Sequence, residues 1–156
     1  MGKMIDQKPS HEGEAVVWEC FRQNLPRNYI VYNTRSVNTW EYDFCIMAEN
    51  KGLFVVEVKG WNPDFIVSVN NSRKVMLADG KICTNPLNQA RRYRFDLINY
   101  FNRKLGINPL VMHFVCYPFL SEDDYKAKRL DALSDPKETL FKEDLENVAL
   151  LGSILK

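Results

Sequence analysis

Histidine is nearly missing from this 156-residue chain, which holds two, His11 and His113, against four cysteines. Cys20, Cys45, Cys83 and Cys116 lie far apart and form no C-x-x-C pair. A zinc site built from nitrogen and sulfur ligands is therefore excluded, and so is the dense disulfide framework of a small secreted domain. Three of the thiols sit in apolar runs, which predicts buried free cysteines and a reducing, cytoplasmic setting. An excess of charge of either sign is also lacking: 21 basic and 20 acidic residues nearly cancel. No global field then draws in nucleic acid or an anionic membrane, and any contact with a polyanion must be local. No apolar run approaches the ~20 residues needed to span a bilayer. The opening MGKMIDQKPS has no apolar signal core, and Asp6 stands where a myristoylation signal needs Ser or Thr. The expectation is a soluble cytoplasmic protein without a membrane partner.

What the chain does have is 46% hydrophobic residues, enough for one core of ordinary size. Residues 1–9 read as a loose, flexible N-terminal arm and 10–156 as a single domain. From Ser10, the residues Glu14, Val17, Trp18, Phe21 and Leu25 share one helical stripe that ends at Pro26. Glu14 is thereby placed on the inward face. Tyr29–Thr34, the stretch from Trp40 to Gly60, "FIVSV" and "KVML" read as a meander of short strands. Asn85 caps a helix with Pro86 in its first turn, carrying Gln89, Tyr93, Leu97 and Phe101 inward and ending at Gly106. "LVMHFVCYPFL" returns to strand. Residues 121–137 read as a charged loop with a short helix over 125–133, followed by a strand near Thr139 and a helix from Glu143. The fold class is α/β, a central mixed β-sheet flanked by helices.

The informative stretch is WEYDFCIMAENKGLFVVEVKG, an apolar hairpin that nevertheless carries Asp43, Glu57 and Lys59. A three-residue Asn50–Gly52 loop would set Asp43 across from Lys59 and Cys45 across from Glu57, with all three charges on one face. Both faces are otherwise apolar, so ionised groups there lose hydration unless partners replace it. One lysine cannot satisfy two repelling carboxylates, whereas a divalent cation with a substrate phosphate can. Lys59 can then orient or deprotonate an attacking water. An edge ion pair of Asp43 with Lys59, with Glu57 hydrated at the sheet rim, satisfies the same spacing. Glu14 can add a third carboxylate, or can simply favour its helix N-terminus. In "QARRY", Gln89 and Tyr93 share one helix face with Arg91, Arg92 and Arg94 close by, a set able to follow a phosphate backbone. Taken singly, Tyr93 also suits the core and the arginines a solvated face.

The ordered set of an acidic residue on the first helix, Asp, Glu-x-Lys and Gln-x-x-x-Tyr resembles the PD-(D/E)xK nuclease superfamily, its RecB-like branch in particular. "GEAVVWECF", the hairpin and "NPLNQARRY" resemble more narrowly the nuclease-related domain, NERD. The resemblance implies a restriction-endonuclease-like α/β sandwich and metal-dependent hydrolysis of phosphodiester bonds, of DNA before RNA. It implies that Asp43 and Glu57, with the Val58 carbonyl, bind Mg²⁺ or Mn²⁺, and that Glu14 completes or orients the ion's shell. Lys59 would position the attacking water, and Gln89, Tyr93 and Arg92 would contact nucleic acid. Tyr42 stands where the superfamily's name places proline. Such domains occur fused to helicase modules, and the apolar "NVALLGSILK" at the end is consistent with the front part of a longer protein. An inactive nucleic-acid-binding module, or a protein-docking module on the same fold, is the alternative.

Overall fold

The computed structural model describes residues 2–37, 40–48, 51–70, 72–133 and 135–146. In chain order these form β1 (Lys3–Met4), α1 (Glu12–Asn24), β2 (Tyr29–Val37), β3 (Trp40–Ala48), β4 (Gly52–Val58), β5 (Ile66–Val69), β6 (Val75–Leu77), β7 (Ile82–Cys83), α2 (Pro86–Leu105), β8 (Val111–Cys116), α3 (Glu122–Ala127), β9 (Thr139–Leu140) and α4 (Lys142–Glu146). The main sheet has the order β1-β2-β3-β4-β8-β9. It is mixed, since β2, β3 and β4 run antiparallel whereas β8 is parallel to β4. Helices cover both faces, as the α/β reading expects.

β4 is the central strand, and Leu53 through Val58 are all buried, which is why it reads as a continuous apolar run with one charge in it. On one face Phe44, Ile46, Phe54, Val56 and Val58 pack with Val17 and Phe21 of α1. On the other, Cys45, Leu53 and Val55 pack with Tyr93 and Leu97 of α2. Asn85 caps α2 through Leu87 N–H at 3.0 Å, and Gly106 ends it at φ 64, so both helix signals in the sequence act as expected.

Several expectations are corrected. Residues 2–9 do not stand off as an arm. Lys3–Met4 pairs in parallel with β2, and the Asp6 carboxylate accepts from Asn33 N–H at 2.9 Å and pairs with Arg35 at 2.8 Å. A short polar segment gains order here through partners 26 or more residues away, which no local pattern reveals. "FIVSV" and "KVML" do not extend the main sheet. They form, with β7, a separate three-stranded antiparallel sheet whose Ile66, Val75 and Leu77 pack in a third core cluster with Tyr117 and Tyr125. The short helix begins earlier than expected, at Glu122, because Ser121 and Asp124 form a reciprocal capping box there. All four cysteines are free; Cys45 and Cys116 are buried, while Cys20 and Cys83 are half-buried. The apolar stretch 147–156 lies outside the described residues. Among the described residues, no helix is long and apolar enough to cross a membrane.

The hairpin register also differs. Ala48 pairs with Gly52 and Phe44 with Val56, so the connection is 49–51 and the pairing is displaced by two residues. Gly52 is the first residue of the strand rather than the last of the loop. Its φ of +103 lets the backbone pass close to Leu110, and Leu53 N–H donates to the Leu110 carbonyl at 2.8 Å. Continuing the count sets Asp43 opposite Glu57, not Lys59. A slip of two preserves the face of every side chain, so the gathering of charges survives the correction.

Candidate active site

At the ends of β3 and β4, beside the start of α1, the chain encloses a cleft of about 680 Å³. Its walls include Glu14, Asp43, Glu57, Val58 and Lys59. Three separate elements thus deliver the four side chains singled out in the sequence, together with the Val58 backbone.

Asp43 sits where the strand alternation fails. Pairing of β2 with β3 holds at Asn33–Phe44 and at Arg35–Tyr42 but skips the Thr34–Asp43 step, and Thr34 has φ 56. As a result Tyr42 joins the α2-side cluster with Cys45, three residues on, rather than the α1 face with Phe44. Freed from regular pairing, the Asp43 carboxylate accepts the Val58 N–H at 2.7 Å through Oδ2. A side chain here does the work of a backbone carbonyl, which fixes the carboxylate at the sheet's end.

Glu57 is 5% exposed. Its Oε1 lies 3.6 Å from Lys59 Nζ, while Oε2 is buried with no hydrogen-bond partner. Burial first, then the charge of Asp43, pushes its carboxyl up to about 8 against the pull of Lys59. Glu14 is raised to about 7 by burial, by its hydrogen bond with Asp43 and by the charges of Asp43 and Glu41. Three carboxyl groups therefore crowd a space in which they cannot all ionise together, and at neutral pH the group retains protons. Lys59, with its side chain 22% exposed, reaches over Trp61 at 6.0 Å from the ring centroid.

Among the described residues, no group of three or more His, Cys, Asp or Glu side chains is arranged to hold a metal ion as it stands. Mg²⁺ does not require such a cage; it is commonly held by one or two carboxylates, waters and a substrate phosphate. The unpartnered Glu57 oxygen and the two proton-retaining carboxyl groups are the features that a divalent cation would satisfy. Oxygen donors of this kind suit Mg²⁺ or Mn²⁺ rather than a thiophilic ion.

The helix-borne candidates are placed differently. Tyr93 is buried in the α2-side cluster and does not line the cleft. Its phenol is raised by burial and by the charges of Glu57 and Asp43, so it backs the carboxylates from the α2 side. Gln89, one turn earlier, is half-buried with Oε1 lacking a partner. Arg92 is exposed on α2 and is not among the described residues that line the cleft.

Sequence reasoning missed the contact that seats α1. A Cβ at Gly13 would lie 2.8 Å from Gly60 Cα, so the helix start and the turn after Lys59 touch backbone to backbone. The two glycines are 47 residues apart and carry no joint signal, although each flanks a residue that was singled out. Gly13→Ala is expected to force Glu14 and Lys59 apart, lowering stability by about 1–3 kcal/mol. Thermal melting of the variant checks this; an unchanged melting temperature would contradict the seating role. Glu41, two residues before Asp43, and the aromatic rings of Trp61, Phe65 and Phe119 also line the cleft without having been anticipated.

The sequence pattern described as "Nuclease-related domain" matches residues 9–118, which contain every side chain of the cleft wall named above except Phe119. Two solved structures are similar. One is a repair endonuclease from Pyrococcus abyssi, at 16% identity and TM-score 0.43, with 86% of this chain and 48% of that one covered. The other is an EndoMS–dsDNA2 complex, at 12% identity and TM-score 0.44, with 90% and 48% covered. The chain thus spans about half the length of each. No curated protein matches the sequence.

Proposed function

The chain belongs to the nuclease-related domain family, and from that premise we propose that its cleft hydrolyses phosphodiester bonds of nucleic acid, DNA before RNA, with Mg²⁺ or Mn²⁺ as cofactor. The observation that carries the reading is the pairing of an unsatisfied, buried Glu57 oxygen with Asp43 and Lys59 in one open cleft. Asp43 and Glu57, with the Val58 carbonyl as a further oxygen, would hold the cation, which when bound would supply charge stabilisation to a phosphoryl group. The Val58 N–H commits one Asp43 oxygen and leaves the other uncommitted to the backbone. Glu14 acts through Asp43, holding a proton between the two carboxyl groups and so orienting the ligand. Lys59 Nζ, 3.6 Å from Glu57 Oε1, donates a hydrogen bond that orients the attacking water, whose proton leaves to bulk solvent as its oxygen bonds to phosphorus. Tyr93 stiffens the carboxylates from behind, and Gln89 and Arg92 contact the substrate beyond the cleft.

A non-cutting nucleic-acid-binding module is the second reading, in which Lys59 serves only as the ion-pair partner of the buried Glu57. Incubation of the purified protein with single- and double-stranded DNA and RNA, in Mg²⁺, Mn²⁺ or chelator, separates the two. Cation-dependent cleavage of at least one polymer is the expected result. Binding without cleavage in either ion would favour the module.

A further inference from the structure

Three described residues other than glycine have positive φ: Thr34, Arg73 and Arg129. Such conformations are unfavourable and persist where surrounding structure over-determines them, often at functional sites. Thr34 lines the carboxylate cleft. Arg73 (φ 59) and Arg129 (φ 60) come from segments 56 residues apart, yet both line a single second depression of about 480 Å³.

That depression adjoins a smaller one of about 240 Å³, which shares Arg73 and adds Lys74 and Arg91. All four basic side chains are exposed, and among the described residues none is in an ion pair. Asp131 is the acidic residue on the described walls of the two depressions. In a chain whose charges nearly cancel, four cations against the carboxylate of Asp131 leave these adjoining hollows net positive. Hydrogen bonds to Asn70 hold the residues that present Arg73 and Lys74. Asn70 Oδ1 accepts from Ser72 N–H at 2.9 Å and from Lys74 N–H at 3.0 Å, and Arg73 N–H donates to the Asn70 carbonyl at 3.0 Å. On the other wall, Lys128 Nζ donates to the Ile66 carbonyl at 3.1 Å, tying the segment before Arg129 to β5.

β5 connects the two places. Phe65, just before it, lines the carboxylate cleft, and Val69, at its end, lines the arginine depression. Four strand residues span about 13 Å, short enough for one polymer to reach both.

We propose that Arg73, Lys74, Arg91 and Arg129 form a second nucleic-acid contact, gripping the phosphodiester backbone one strand-length from the cleft where it is cut. The proposal rests on the nuclease reading and names how the substrate is held. Phosphate contacts of this kind position a polymer without reading its sequence.

The test is fluorescence anisotropy with a labelled ~30-nucleotide single strand and a ~30-base-pair duplex in chelator, comparing wild type with Arg73→Gln/Arg129→Gln across a salt series. Both positions are exposed, and an unchanged melting temperature confirms the fold. The expected result is affinity lower by about 10-fold for the better ligand and a log–log salt slope shallower by about 1.4 to 1.8, the loss of two phosphate contacts. Equal affinity and slope in the variant would overturn the groove, as would a wild-type protein that binds neither polymer. Cation-dependent cleavage, measured separately on the same polymers, decides the nuclease reading, so the two can fail independently.

Discussion

Lys59→Met is expected to slow cleavage by about 10² or more while leaving affinity and fold in place, the usual scale for losing a hydrogen-bond donor to the reacting atoms. A lysine that merely neutralised two buried anions would behave otherwise: its removal should cost on the order of 3–5 kcal/mol. The carboxyl groups decide between these outcomes. Because Glu57 is raised to about 8 and Glu14 to about 7, protons already offset the crowding at neutral pH, and losing the ammonium strands little additional charge. Melting temperature, nucleic-acid affinity and cleavage rate measured on one preparation check the expectation. An early-melting variant that added Mg²⁺ does not restore would assign Lys59 a structural role instead.

The second large effect is in pH and cation linkage. Both glutamates have folded-state values above their ordinary 4.5, so the folded protein binds more protons than the unfolded chain between about pH 4.5 and 8. Stability of the cation-free protein must therefore fall as pH rises through that window. The loss should be on the order of 3 kcal/mol, after discounting for coupling between the groups and for solvent screening at half-buried Glu14. Mg²⁺ or Mn²⁺ should reverse it, with the larger rise in melting temperature at pH 8 than at pH 5.5, since the ion displaces protons from its ligands. Asp43→Asn/Glu57→Gln should flatten the pH dependence and abolish the cation shift. A series of melting curves across pH, with and without cation, measures all of this. Equal cation shifts in wild type and double variant would remove Asp43 and Glu57 as ligands.

The site was legible to the extent that it broke a local pattern. Asp43, Glu57 and Lys59 stand out because they interrupt an apolar hairpin, and Glu14 because it falls on the inward stripe of α1. The expected register was displaced by two residues, yet the gathering held, because side-chain direction in a strand depends only on parity. Where parity itself fails, at the Thr34–Asp43 step, no local pattern warns of it, and Tyr42 joins the α2 side rather than the Phe44 face. The central sheet and α2 were readable from periodicity and caps, whereas the separate β5-β6-β7 sheet was not, since strand propensity does not say which sheet a strand joins. Contacts between distant segments stayed invisible for the same reason. Gly13 against Gly60, Asp6 against Arg35, and Arg73 beside Arg129 each depend on chain paths that no window of sequence contains.

Cleavage is proposed to depend on a cation held jointly by Asp43 and Glu57. The most direct test is the cleavage rate of a DNA substrate as Mn²⁺ is titrated into chelator-stripped wild-type protein and Glu57→Gln side by side. A saturable rise from no activity is expected in the wild type, and no rise in the variant at any Mn²⁺ concentration. Cleavage by the stripped wild type at its full rate, or by Glu57→Gln with the wild-type dependence on Mn²⁺, would contradict the proposal.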